Sequence, residues 1–304
     1  MNINRKGIYY IALLGLISLG LLCSCSKVNK TGSLTWKLKD GTLTISGQGP
    51  MPNYYSAGPW ADRNDRPRPD ISSIIINEGV TNIGNNAFAQ NCGNVIYVSI
   101  PGSVTNIGKN AFNGCQSMTT IVIPDGVINI DNFAFHNCSK LISIDIPDSV
   151  ISIGQNAFSG CNSVLTVSLG KNVKFIGMDA FQGCTNILTV TSNNPIPPHM
   201  ETRSAGLRRI GYWSEFRNLD ENNRRMSAFD SVSNKCRLVV PDEFISVYKE
   251  DAEWNKFFDT DRRPIYVPAG AVPYGVIPTV PAIPGASVIS PPSDLLKNNT
   301  NGDE

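Results

Sequence analysis

The sequence predicts an α/β repeat solenoid, in which short parallel strands stack coil upon coil into a sheet and separate structures close the two ends. Three observations predict it. Cys92, Cys115, Cys138, Cys161 and Cys184 recur every 23 residues. Phe88, Phe112, Phe135, Phe158 and Phe181 keep the same step, as do Ile83, Ile107, Ile130, Ile153 and Ile176, apart from one extra residue between Phe88 and Cys92. Each unit also carries a β-branched run with apolar residues at positions one, four and six, such as Leu141, Ile144 and Ile146. One such unit cannot bury its own apolar stripe, whereas stacked units bury it between them.

Residues 1–24 read as a lipoprotein signal peptide. Arg5 and Lys6 precede the apolar run Ile8 to Leu22, which ends at Leu22-Cys23-Ser24-Cys25. That run is too short to span a bilayer as a permanent anchor. Ser24 supplies the small residue expected ahead of an acylated cysteine, whereas bulky Leu21 and Leu22 precede Cys23. Cys25 is therefore the predicted lipidation site, joined to the body by a linker over 25–33. Cleavage removes two bases and no acid, so the formal charge moves from +1 to −1. A near-neutral chain has no long-range field to attract nucleic acid, and the expected attachment to a membrane is through the N-terminal lipid. No acidic run follows Cys25, so the sequence leaves open which side of the outer membrane the chain faces.

Residues 34–70 are predicted to cap the first coil, because two alternating runs flank the hairpin signal Lys39-Asp40-Gly41. Residues 71–192 hold the repeats. Pro101, Pro124, Pro147 and Gly170 end strands, and Val80, Val104, Val127, Val150 and Val173 return the chain to the core. Gly84, Gly108, Gly154 and Gly177, with Asp131 in the corresponding place, predict a left-handed turn. Asn86, Asn110, Asn156 and Asp179 then read as helix caps opening about one helical turn, a pattern that Phe133 breaks. Residues 193–235 hold an insertion and a partial repeat containing Ala228-Phe229. The basic and aromatic side chains Arg208, Arg209, Tyr212 and Trp213 of the insertion are candidate contacts for a partner. Residues 236–263 predict a terminal strand and a helical cap, with Asp242 at the helix start and Phe244, Val247, Tyr248, Trp254 and Phe257 as its apolar side chains. Residues 264–304 read as a Pro-rich disordered tail.

The unit I-P-x-x-V-x-x-I-G-x-x-A-F-x-x-C resembles the BspA-like leucine-rich repeats of bacterial surface lipoproteins. Leu34-Thr-Trp-Lys-Leu, Asp40-Gly41, Met51-Pro52 and Pro59-Trp60 resemble that family's N-terminal cap. Cys236-Arg-Leu-Val-Val-Pro241, Tyr248, Trp254 and Phe257 resemble its closing motif. The resemblance implies a leucine-rich-repeat arc and adhesion to host extracellular proteins, such as the extracellular matrix, or to other cells.

The chemistry expected of the chain is recognition rather than catalysis. Its two histidines, His136 and His199, lie in no catalytic motif, and His199 has no carboxylate at a recognisable spacing. No phosphate-cradling loop or zinc spacing occurs, so no cofactor and no metal are expected. The five ladder cysteines are expected to remain buried thiols, because parallel Cβ directions one strand spacing apart do not suit a disulfide. The exposed strand positions form a hydroxyl-rich face on which Tyr97, Thr120, Ser143, Asp145, Thr166 and Ser168 are the candidate ligand-binding residues. The functional expectation is a cell-envelope lipoprotein, at the outer membrane or cell surface, acting as a binding or adhesion module for a protein or glycan. A structural or accessory lipoprotein of an envelope complex is the alternative, and an enzyme with an unrecognised site ranks third.

Overall fold

The computed structural model describes residues 29–61, 70–89, 92–201, 228–229, 231–232 and 236–258. Cys25, the insertion residues 202–227 and the Pro-rich tail lie outside them.

The repeats form a parallel solenoid with two strand faces. One face carries the longer strands Ser73–Ile76, Tyr97–Ser99, Ser143–Asp145, Thr166–Leu169, Thr189–Ser192 and Arg237–Val239. The other carries two-residue strands, Asn82–Ile83, Asn106–Ile107, Asn129–Ile130, Ser152–Ile153, Phe175–Ile176 and His199–Met200, in one six-stranded parallel sheet. Registers repeat without slip, so Val167 lies beside Ile144 and Val190, and Ile153 beside Ile130 and Ile176. Strict repetition of the sequence thus places like residue on like residue along the axis.

The core is a file of stacked rings. Trp60, Phe88, Phe112, Phe135, Phe158, Phe181 and Phe229 follow one another with centroid distances of 5.1, 5.1, 5.3, 5.1, 5.5 and 4.5 Å. Phe229 follows Phe181 by 48 positions in the chain, yet it continues the file, and the Phe181 N–H donates to the Ala228 carbonyl at 3.1 Å. Earlier coils make the same bond, for instance Phe135 N–H to Ala157 at 2.7 Å.

The turn before each phenylalanine departs from the expected helix. Positive φ falls at Asn86, Asn110, Phe133, Asn156 and Asp179 (between 54° and 59°), and not at the glycines two residues earlier. Asn and Asp tolerate this region, and so they serve as the left-handed residues rather than as caps. The turned backbone then aims its N–H groups at the next coil: Asn110 donates to Asn132, Phe133 to Gln155 and Asn156 to Met178. Bonds between coils replace bonds within a helix. The glycines answer a steric demand instead, since a Cβ on Gly154 would lie 2.5 Å from the Asn132 nitrogen and one on Gly177 would lie 2.4 Å from the Gln155 nitrogen. Phe133 is a bulky residue in a left-handed conformation, which costs on the order of 1–3 kcal/mol. Its ring packs edge-on against His136 at 5.6 Å.

The long-strand face is interrupted once. Met118–Ile123 forms no ladder strand, so this face divides into a five-stranded sheet ending at Tyr97–Ser99 and a four-stranded sheet beginning at Ser143–Asp145. Thr120, expected in a strand, therefore lies in irregular chain. The Thr119 carbonyl still receives the Ile142 N–H at 3.0 Å.

The ends differ in kind. Leu34–Lys39 and Thr42–Gly47 pair antiparallel around Asp40-Gly41, both at positive φ as a tight hairpin turn requires, and Thr42–Ile45 pairs parallel with Ser73–Ile76. At the other end a 3-10 turn, Asp242–Phe244, leads into the one α-helix among the described residues, Ile245–Glu250. Asp242 therefore stands inside the first turn, where its charge favours the helix N-terminus. Pro241, not Asp242, occupies the capping position, and it makes no side-chain cap bond. Tyr248, Trp254 and Phe257 are buried, whereas Val247 is 43% exposed and adds nothing to the core.

The ladder thiols divide into two groups. Cys92 and Cys115 form a disulfide with Cα atoms 4.6 Å apart, against the expectation that every ladder cysteine stays reduced. That expectation assumed parallel Cβ directions, a property of exact repetition. Cys92 stands 23 residues before Cys115, in step with the rest of the ladder, and a Cα separation of one coil spacing is within the reach of a disulfide. Cys138, Cys161, Cys184 and Cys236 are free and buried. Cys138, Cys161 and Cys184 donate to the carbonyls of Phe112, Phe135 and Phe158 in the preceding coil, at 3.4, 3.3 and 3.2 Å.

Candidate functional site

Two surfaces of the solenoid are built from repeated positions, and each collects side chains that the core does not consume. The first is the long-strand face. Alternation along a strand sends Val98, Ile144 and Val167 inward and leaves Tyr97, Ser143, Asp145, Thr166 and Ser168 on the outer side. Tyr97 is 53% exposed, Asp145 and Thr120 are exposed, and Ser143, Thr166 and Ser168 are half-buried. The ladder aligns Thr166 with Ser143 and Ser168 with Asp145, so these four form one patch. Tyr97 belongs to the sheet on the far side of the interruption, next to Ser73. The face also exposes Ile96, Val122 and Leu188, the second of them 77%. On this face hydroxyls surround scattered apolar side chains.

The second surface was not legible as a site. On the short-strand sheet the residues preceding the ladder isoleucines stand in register: Asn82, Asn106, Asn129, Ser152, Phe175 and His199. The ladder isoleucines face the core, so this row faces out. Glycine follows the isoleucine in most coils and adds no wall, which leaves a groove of about 600 Å³ running from Asn106 to His199. Asp131 and Glu201 stand where other coils have glycine. Phe175 is 53% exposed, with its ring edge-on to His199 at 6.4 Å.

Several groove side chains hold the coils together. Asn132 Oδ1 accepts the Gln155 N–H at 2.8 Å, as Asn85 Oδ1, outside the groove, accepts the Lys109 N–H at 2.8 Å. The Ser152 hydroxyl donates to Asn129 Oδ1 at 2.9 Å. A carboxylate reaches His199 through the fold: Glu253 Oε2 lies 3.6 Å from its Nδ1. Glu253 comes from a segment 54 positions away, so no local spacing could have announced it. His199 is widely exposed and Glu253 holds the last coil, accepting the Met200 N–H as well.

The remaining reactive groups are spent on structure. Burial raises the Cys161 thiol well above its usual range, and a hydrogen bond with Cys161 together with burial does the same to Cys184. Burial pushes Cys236 up to about 12. Such thiols pack as small apolar groups, since the thiolate is the nucleophile. His136 is lowered by burial and its Nδ1 lies 3.2 Å from Asn113 Oδ1. Among the described residues no cluster of three His, Cys, Asp or Glu side chains could hold a metal ion, and no helix is long and apolar enough to cross a membrane. Arg208, Arg209, Tyr212, Trp213 and Cys25 lie outside the described residues.

Residues 81–197 match the family model described as a BspA type leucine rich repeat region, in six copies. No curated protein matches the chain. Among solved structures, a leucine-rich repeat protein of T. pallidum is 29% identical, with 54% of this chain and 71% of that chain covered and a TM-score of 0.40. A leucine-rich repeat protein from Bacteroides ovatus is 22% identical over 55% of each chain, with a TM-score of 0.33. The pneumococcal vaccine antigen PcpA is 15% identical, with 69% of this chain and 44% of that chain covered and a TM-score of 0.45. The chain therefore spans only about half the length of the second and third of these proteins.

Proposed function

We propose that the chain is a cell-surface binding module that holds a protein partner on its long-strand face, a reading supported by the match of residues 81–197 to a BspA type leucine rich repeat region. The observation that carries this reading is the placement of Tyr97, Ile96 and Val122 on the outside of a rigid parallel stack, close to a patch of hydroxyls. A repeat stack has almost no internal freedom between neighbouring coils. The backbone beneath its outward side chains is therefore pre-ordered and loses little entropy on binding. The sequence around Cys25 supports attachment by lipid at the N-terminus, with the solenoid reaching away from the membrane. Adhesion to host extracellular proteins is the role that fits such a presented surface.

The test uses a soluble form of the mature chain that starts after the lipidated Cys25, residues 26–304, immobilised and screened against purified extracellular matrix proteins. A partner found in this way is then measured against Tyr97→Ala. We expect affinity to fall by more than about 1 kcal/mol, as it does when an aromatic anchor is truncated, while the melting temperature stays near that of the parent. An unchanged affinity in the folded variant removes the long-strand face as the recognition surface.

A further inference from the structure

The groove on the short-strand sheet has no role in the reading above, and its lining is not what coil stacking alone requires. Stacking needs the ladder isoleucines inside and a small residue after them. It does not need Phe175, whose ring is 53% exposed and lies beside His199 at the end of a row that is otherwise Asn and Ser. We propose that this groove is a second binding site, separate from the long-strand face, and that its ligand is a neutral oligosaccharide.

Three properties of the groove select that class. First, its charge has one sign. Among the described residues, Asp131 and Glu201 are the carboxylates along it, with Glu253 behind His199, and no Lys or Arg lines it. Carboxylates repel sulfated, phosphorylated or uronic-acid chains, so the ligand is not an anion. Second, its neutral polar side chains are amides and a hydroxyl, of which Asn106, Asn129 and Ser152 stand one coil apart at about 4.8 Å. A sugar hydroxyl can accept from an amide N–H and donate to an amide oxygen; Asn129 Oδ1 also accepts the Ser152 hydroxyl, which leaves that oxygen one lone pair. Third, Phe175 stands 53% exposed at one end of that row, an aromatic surface on which the C–H face of a sugar can pack.

A peptide fits less well. A strand laid across the face of a sheet, rather than along its edge, finds no backbone partners for its own N–H and C=O groups. A glycan has no such ladder to satisfy and can use side-chain contacts alone. The last coils supply the rigidity. Glu253 accepts the Met200 N–H and holds His199, so the end of the groove nearest Phe175 is fixed by the segment after the terminal strand.

The test is isothermal titration of the full mature chain with cellohexaose, maltohexaose and mannohexaose. Dextran sulfate and a lysine-rich peptide serve as charged probes. At least one neutral hexasaccharide is expected to bind with a millimolar or tighter dissociation constant, and Phe175→Ala is expected to weaken it at least tenfold. Asn129→Ala is expected to weaken it severalfold, and Tyr97→Ala to leave it unchanged. Each variant's melting temperature is measured first, and Phe175→Leu serves as a second probe of the aromatic face if the alanine variant unfolds. Absence of binding by all three neutral sugars overturns the proposal. So does binding of the lysine-rich peptide or dextran sulfate that Phe175→Ala abolishes, the first because it shows a peptide site and the second because it shows an anion site. Because Tyr97→Ala reports only on the long-strand face, failure here leaves the protein-binding reading standing, and the reverse also holds.

Discussion

Replacing Phe135 with alanine is expected to destabilise the solenoid by roughly 3–5 kcal/mol, the usual range for truncating a buried phenylalanine. The ring is fully buried and lies between Phe112 at 5.3 Å and Phe158 at 5.1 Å, nearly parallel to both. Its loss leaves a cavity in the middle of a file that cannot close up, because the coil spacing is set by backbone bonds such as Phe112 N–H to Ala134 and Phe135 N–H to Ala157. Urea unfolding followed by far-UV circular dichroism reads the change. Phe135→Leu, which keeps most of the volume, should cost distinctly less. A loss below about 1 kcal/mol for the alanine variant would show that the rings are not stacked as a continuous core.

Trp254→Ala is expected to cost a similar amount, again roughly 3–5 kcal/mol, by a different route. Trp254 packs against Phe229 at 5.8 Å, Tyr248 at 5.3 Å and Phe257 at 5.7 Å, and its Nε1–H donates to the Pro198 carbonyl at 2.7 Å. Truncation removes the rings' common neighbour and strips a buried carbonyl of its donor. Tyr248, whose hydroxyl lies 2.7 Å from the Ser192 hydroxyl, loses its edge contact as well. Since coils in a solenoid support only their neighbours, the damage should start at the C-terminal end. Limited proteolysis should cut the variant within residues 236–258 well before it cuts the central coils. Even digestion along the chain would contradict this order. Trp254→Phe separates the two contributions, because it keeps a ring but loses the hydrogen bond.

Much of the fold could be read from spacing. A repeat states the same physical requirement several times, so Ile83, Phe88 and their equivalents identify the core without reference to any single environment. Even Phe229 was placed by its Ala-Phe pair, despite the long insertion before it. The turn was harder. Gly154 and Asn156 each permit a left-handed backbone, and composition alone cannot assign the positive φ to one and the close coil contact to the other. That division depends on the Asn132 backbone, which comes one coil earlier. The disulfide was missed because Cβ direction was taken to exclude it, whereas a Cα separation of 4.6 Å, one coil spacing, lies within the range that a disulfide spans.

The candidate sites were legible unevenly. Alternation exposes Tyr97 and Asp145 whatever the detailed fold, so the long-strand face could be drawn in advance. The interruption at Met118–Ile123 and the groove could not. The groove arises because two-residue strands align Asn129, Ser152, Phe175 and His199 across coils, and strands that short leave no alternation to detect. Its end is completed by Glu253, which only the packing of the chain brings to His199.

The central claim, a solenoid presented outside the cell to bind a partner, is tested most directly by adhesion. Cells carrying the chain and cells lacking it are applied to the matrix protein found in the screen, with the soluble mature chain as competitor. The account predicts that only the carrying cells adhere above background, that the soluble chain abolishes this difference, and that its Tyr97→Ala form competes poorly. Equal adhesion of both strains, with a chain that protease cannot reach on intact cells, would contradict it and favour an inward-facing accessory of the envelope.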